Sequence, residues 1–215
     1  MNKFTFKLLV LALLLFTGYS STAQTNLYEH PDFEAIAKDH QVIAILPFAA
    51  KVSLRPKQMK EITAQQLKEM ETGEGLSIQS SMYTWFLQRK KRGDLLVNVQ
   101  DPKKTNAILL SNEIENLALF TPEELAKLLE VDAVITGNFE TDKPMSDGAS
   151  IALGLLVGFW GSTNAATINM SVNNGVDGEL LWNYNKRVSG SLGSSTDSLI
   201  NTLMRKASRR LAYTK

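Results

Sequence analysis

Residues 121–137 read TPEELAKLLEVDAVITG, and the hydrophobic period changes half-way through them. Thr121 can cap a helix, Pro122 suits a first turn, and Glu124 stands where a capping box needs it. Leu125, Leu128 and Leu129 then make one apolar stripe at helical spacing. From Val131 the period becomes two. Ala133, Ile135, Gly137 and Phe139 alternate with Asp132, Thr136, Asn138 and Glu140, the pattern of a strand with one buried face. A helix feeding straight into a strand predicts an α/β fold.

The flanking sequence extends this reading upstream. VIAILPF (42–48) is apolar without alternation, which predicts a central strand covered on both faces and stopped at Pro47. Pro56 is expected to open a helix with Met59, Ile62, Leu67 and Met70 near one face, ending at Gly73 and Gly75. Ser77 could cap a second helix carrying Ile78, Met82, Trp85 and Phe86. Leu95, Val97 and Val99 alternate as a half-buried strand. Asp101-Pro102 breaks it before a short helix around Thr105–Ser111.

Downstream, Ala166, Ile168, Met170 and Val172 share one face, and Leu180, Trp182 and Tyr184 share another. The turn-rich Asn173–Gly178 between them predicts a hairpin with Trp182 in the core. A last helix from about Thr196 carries Leu199, Ile200, Leu203, Met204, Ala207 and Leu211. The expected fold is a single α/β domain over 42–215. It has a mixed sheet of about five strands covered by helices, a C-terminal hairpin and a final helix.

The chain starts with Lys3 and Lys7, an apolar run from Leu8 to Phe16, and Ser21-Thr22-Ala23. These are the parts of a signal peptide over 1–23, with export and cleavage before Gln24 expected. Residues 24–41 then read as a polar lead-in with a short helical signal in PDFEAIAKD. The chain has no cysteine, so neither a disulfide nor a lipid anchor on cysteine is expected. A formal net charge of +1 argues against a nucleic-acid partner.

Signs of catalysis are few. His30 and His40 are the only histidines, without zinc-ligand spacing or a serine elbow, and are read as surface or capping residues. GSLGSSTDS (190–198) could hold an anion at a helix start but lacks the lysine of a P-loop, and a plain N-cap explains it. No enzyme activity, cofactor or metal is expected. Arg89, Lys90, Lys91 and Arg92 form the sharpest charge run. They are read either as a cationic helix end or as a site for an anionic lipid, glycan or protein. The basic residues of the last helix, Arg205, Lys206, Arg209 and Arg210, are open to the same two readings.

GASIALGLLVGFWGS (148–162) is an apolar, glycine-rich insert. Its ten apolar residues are too few for a spanning helix, which needs about twenty, and they do not alternate as a barrel strand does. Gly154 and Gly158, followed by Phe159 and Trp160, suit either a buried insert or an oligomer or membrane contact.

Three segments in this order, IAILPF, TPEELAKLLEVDAVITG and NNGVDGELLWNYN, resemble a bacterial envelope superfamily. It includes the curli secretion channel subunit, the lipoprotein activator of penicillin-binding proteins and the N-terminal domain of the Tol translocation protein. The resemblance covers roughly 42–188. Glu130 departs from the pattern, which has glycine there, and the lipoprotein cysteine is missing. The resemblance implies a non-enzymatic exported envelope protein that works as an interaction or assembly module in the periplasm, at the outer-membrane periphery or in the medium. Its partners would be other envelope proteins, further copies of itself, or a membrane touched peripherally. The alternative it implies is an oligomeric secretion channel or membrane-inserting protein using 148–176, where channel-forming members place membrane hairpins.

Overall fold

The helix-to-strand unit at 121–137 folds as its sequence predicts. In the computed structural model, residues 25–54, 56–141 and 165–189 are described, with 201–202, 204–205, 211 and 213–214 near the C-terminus. The elements in chain order begin with β1 (Thr25–Glu29), α1 (Phe33–Ala37), β2 (Val42–Ile45) and β3 (Ala49–Lys51). Then come α2 (Pro56–Met59), α3 (Ala64–Arg92), β4 (Asn98–Val99), α4 (Pro102–Ser111) and a 3-10 turn (Leu117–Leu119). The remainder are α5 (Pro122–Leu129), β5 (Ala133–Thr141), β6 (Ala165–Asn174) and β7 (Leu180–Ser189).

The sheet is mixed, in the order β1-β7-β6-β5-β2-β4, with β3 also paired to β5. It has seven strands where about five were expected. β2 runs parallel to β4 and β5, while β6, β7 and β1 are antiparallel additions. As expected, β2 is covered on both faces. Ile43 and Ile45 enter the main core, and Ala44 and Leu46 enter a second core against α4 and α5. The main core lies under α3, whose Ile78, Met82, Trp85 and Phe86 are all buried. Ala166, Ile168, Met170 and Val172 of β6 face it from the sheet.

At α5 the capping box is complete. Thr121 Oγ1 accepts from the Glu124 amide (3.3 Å) and Glu124 Oε2 accepts from the Thr121 amide (2.8 Å). Leu125 and Leu129 are buried. The helix ends at Glu130 in the left-handed region (φ 56°), where the Glu130 amide reaches back to Lys127 O. A side chain with a Cβ costs about 1–2 kcal/mol in that conformation. Glu130→Gly should therefore raise stability by about 0.5–1 kcal/mol after glycine's extra unfolded-state entropy is subtracted. Urea unfolding measures this, and a loss of stability would show that the Glu130 side chain is held by something more than its backbone.

Four expectations need correction. Gly73 and Gly75 do not end a helix: α3 runs unbroken for 29 residues and is capped by Thr63 with Gln66, not by Ser77. Gly75 is there because the helix presses on the β2–β3 connection. The Phe48 amide donates to Gly75 O (3.4 Å), and a Cβ on Gly75 would overlap the Phe48 carbonyl oxygen. Second, the lead-in at 24–41 contains a strand, β1, which pairs with β7 from Thr25↔Lys186 to Glu29↔Trp182. Third, the alternation in β7 breaks at its start. A register shift at Val172/Asn173 leaves Leu180 37% exposed and turns Leu181 into the core beside Trp182 and Tyr184. Fourth, Asp101-Pro102 starts α4 rather than merely ending a strand, since Asp101 accepts from the Lys103 amide (2.8 Å).

Of the last helix, Asn201, Thr202, Met204 and Arg205 are helical, and Met204 is buried. Its other named apolar positions, save the buried Leu211, lie outside the described residues.

Candidate functional site

On the side of the sheet away from the main core, α4 and α5 cover only the β2 half. Beside them a cavity of about 770 Å³ opens between α3, the α4–α5 connection and the sheet. Its floor is polar and neutral: Thr136 and Asn138 of β5, Asn169 and Ser171 of β6. Register sets these as cross-strand neighbours, Thr136↔Ser171 and Asn138↔Asn169. Asn183 of β7 holds the floor in place, donating to Asn169 Oδ1 (2.7 Å) and Ser171 Oγ (2.9 Å).

The walls are apolar. Leu76 of α3 stands on one side; Leu110, Leu117 and Phe120 stand on the other. Three of them face water: Leu76 is 39% exposed, Leu110 78% and Phe120 39%. Leu119, next to Phe120, is 77% exposed. Scattered exposed leucines need no explanation, but these side chains stand together at the mouth of one cavity. Two ties hold the walls in place. Gln79 and Asn106 pair reciprocally across α3 and α4 (3.0 and 2.9 Å), and Gln79 also donates to Ile45 O (2.7 Å). Asn116 accepts from the Ala118 amide (3.1 Å), starting the 3-10 turn that presents Leu119 and Phe120.

With neutral amides and hydroxyls below and alkyl and aryl groups above, the groove can hold a peptide backbone and an apolar side chain. Lys68 and Glu115 are the charged groups among its lining residues. Among the described residues, no cluster of histidine, aspartate and glutamate could hold a metal ion, and no helix is long and apolar enough to cross a membrane.

The groove was not read from the sequence. The available signal was the pair Leu109-Leu110 in a ten-residue helix: Leu109 is buried, so its neighbour must turn outward. The Arg89–Arg92 run lies elsewhere, on the last turn of α3. Arg89 pairs with Asp94 (3.1 Å) and lies over the Trp85 ring (4.9 Å). Lys90 donates to Val97 O (3.2 Å), while Lys91 and Arg92 are exposed. Gly154, Gly158, Phe159 and Trp160 lie outside the described residues. Of the 148–176 span, 165–174 is β6, paired on both sides within the sheet.

The histidines part company. His30 is near the surface, as expected, accepting from the Asp32 amide (3.1 Å) and lying 3.2 Å from Glu179. His40 is instead buried, with Nδ1 2.5 Å from the Tyr213 hydroxyl and Nε2 3.3 Å from Asn174 Oδ1. Burial, and secondarily the charge of Asp132, push the Tyr213 pKa well up and keep the hydroxyl neutral. With Nε2–H donating to Asn174, Nδ1 is left to accept from Tyr213. This is a structural tie that fastens the C-terminal segment to the sheet.

Fold and site together make a mixed α/β domain with an apolar-walled groove on one face of its sheet. Comparison with solved structures returns distant likenesses that span most of this chain. The lipoprotein GNA1162 from Neisseria meningitidis is 15% identical over 80% of this chain and 96% of that one, with a TM-score of 0.44. The PelC dodecamer from Paraburkholderia phytofirmans gives 14% over 90% and 99%, TM-score 0.47. The LpoB C-terminal domain from Salmonella enterica gives 10% over 84% and 94%, TM-score 0.33. No protein-family model and no curated protein sequence matches the chain.

Proposed function

We propose that this is a non-enzymatic, exported protein of the bacterial envelope that acts as an interaction or assembly module, with the groove beside α4 as its docking surface. The observation that carries the reading is the exposure of Leu76, Leu110 and Phe120 around one cavity with a neutral polar floor. Such a surface suits a protein partner: apolar anchors contribute affinity and floor amides fix register. The signal-peptide pattern at 1–23 supports export to the compartment where that partner resides. Lys91 and Arg92 at the end of α3, and the insert carrying Gly154, Gly158, Phe159 and Trp160, belong to the proposal as further contact regions.

The test is a double variant, Leu110→Asp with Leu119→Asp. Both side chains already face water, so each change should stay within about 0.5 kcal/mol of native stability. Envelope complexes trapped by a photo-crosslinker at Leu76 should be lost in the variant. Complexes surviving at native yield, with the thermal midpoint unchanged, would overturn the groove as the docking surface.

A further inference from the structure

The two edges of the sheet are treated differently. At one edge, β4 is only two residues long, and the C-terminal segment closes over the chain just before it. Leu95 bridges Thr214, and the Leu96 amide donates to Tyr213 O (2.9 Å). At the other edge, β1 pairs with β7 along all five of its residues, and among the described residues nothing pairs with its outer side. Exposed edges template pairing with another chain, and proteins usually blunt them with proline, lysine or a bulge. TNLYE has neither proline nor a basic residue, and its register with β7 has no shift. Asn26, Tyr28 and Glu29 are exposed.

The hydrogen-bond parity says what fits there. In an antiparallel pair, successive residues point their backbone groups alternately toward and away from the neighbour. The His30 amide donates to Leu181 O (2.8 Å), so His30, Tyr28 and Asn26 face β7. Thr25, Leu27 and Glu29 therefore turn their N–H and C=O groups outward. The outward set is symmetric about Leu27.

We propose that β1 is a dimerisation strand that pairs antiparallel with β1 of a second copy about a two-fold axis at Leu27. Leu27 of the two copies then forms a hydrogen-bonded pair, and each Thr25 exchanges bonds with the other copy's Glu29, about six in all. Leu27, which packs on the main core, carries the apolar face across the junction. Asn26 meets Tyr28 on the opposite face. The strand's single charge also selects the direction. Parallel in-register pairing would stack Glu29 on Glu29, while antiparallel pairing sends the two carboxylates to opposite ends, about 14 Å apart along the strands. The dimer forms on the half of the sheet away from the groove and is independent of what the groove binds.

The exported protein should run at twice the monomer mass in light scattering and dissociate on dilution. Glu29→Pro removes one outward N–H from each copy and leaves the bonds to β7 in place, so it should give a folded monomer whose thermal midpoint matches that of the native protein diluted to monomer. The absence of cysteine provides a second, independent measurement. A hydrogen-bonded antiparallel pair has Cα atoms about 5.5 Å apart, within disulfide range. Leu27→Cys should thus oxidise to a covalent dimer, while Tyr28→Cys, about 8 Å from its mate, should crosslink at least about tenfold more slowly. A native protein that stays monomeric, an oligomer indifferent to Glu29→Pro, or equal crosslinking at the two positions would overturn the proposal. The first outcome would leave the edge to a strand from a different protein.

Discussion

Trp182→Ala should destabilise the protein by about 3–5 kcal/mol, as truncation of a large buried aromatic does. Trp182 is fully buried in the main core, and its ring stacks on Tyr184 at 5.5 Å with planes 6° apart. The two rings lie side by side because residues two apart on β7 share a face. Removing the indole takes apolar area from the core and leaves the Tyr184 ring without its neighbour. Trp182→Phe, which keeps a ring in the space, should cost much less. Denaturant unfolding gives both numbers, and a Trp182→Ala loss below about 1 kcal/mol would place the side chain outside the core.

For Gly75→Ala, helix propensity and packing predict opposite signs. In a free helix interior the change gains about 0.5–1 kcal/mol. Here the new Cβ would overlap the Phe48 carbonyl oxygen, which is backbone and cannot swing aside. α3 would have to lift from the β2–β3 connection, so a net loss of about 3 kcal/mol, at the upper end of overpacking costs, is expected. Gly73→Ala is the internal comparison. Two residues along a helix is about 200° around it, so Gly73 points away from Phe48 and should show the propensity gain. Thermal unfolding of the pair measures both, and a stabilised Gly75→Ala variant would mean that α3 sits farther from Phe48 than the structure has it.

The same contrast separates what could be read from the chain alone from what could not. Sequence by itself determined the features whose causes lie within a few residues. The Thr121–Glu124 capping box, the alternation of β5 and β6, the doubly covered β2 and the burial of Trp182 all follow from local spacing. Gly137 keeps its place in the β5 alternation, although a Cβ there would lie 2.6 Å from Asn169 O on the next strand. Tertiary structure decided the rest. Gly75 looked like a helix stop because its reason for being glycine, the Phe48 carbonyl, lies 27 positions away in the chain. β1 looked like a polar lead-in because a five-residue edge strand buries little, and its partner β7 lies more than 150 residues downstream. The groove was hidden for the same reason. Leu76, Leu110, Phe120 and the Asn169–Ser171 floor come from four separate segments, each locally unremarkable. Local periodicity reports which face a residue takes on its own element; it carries no information about which distant backbone arrives to cover that face, or leaves it open.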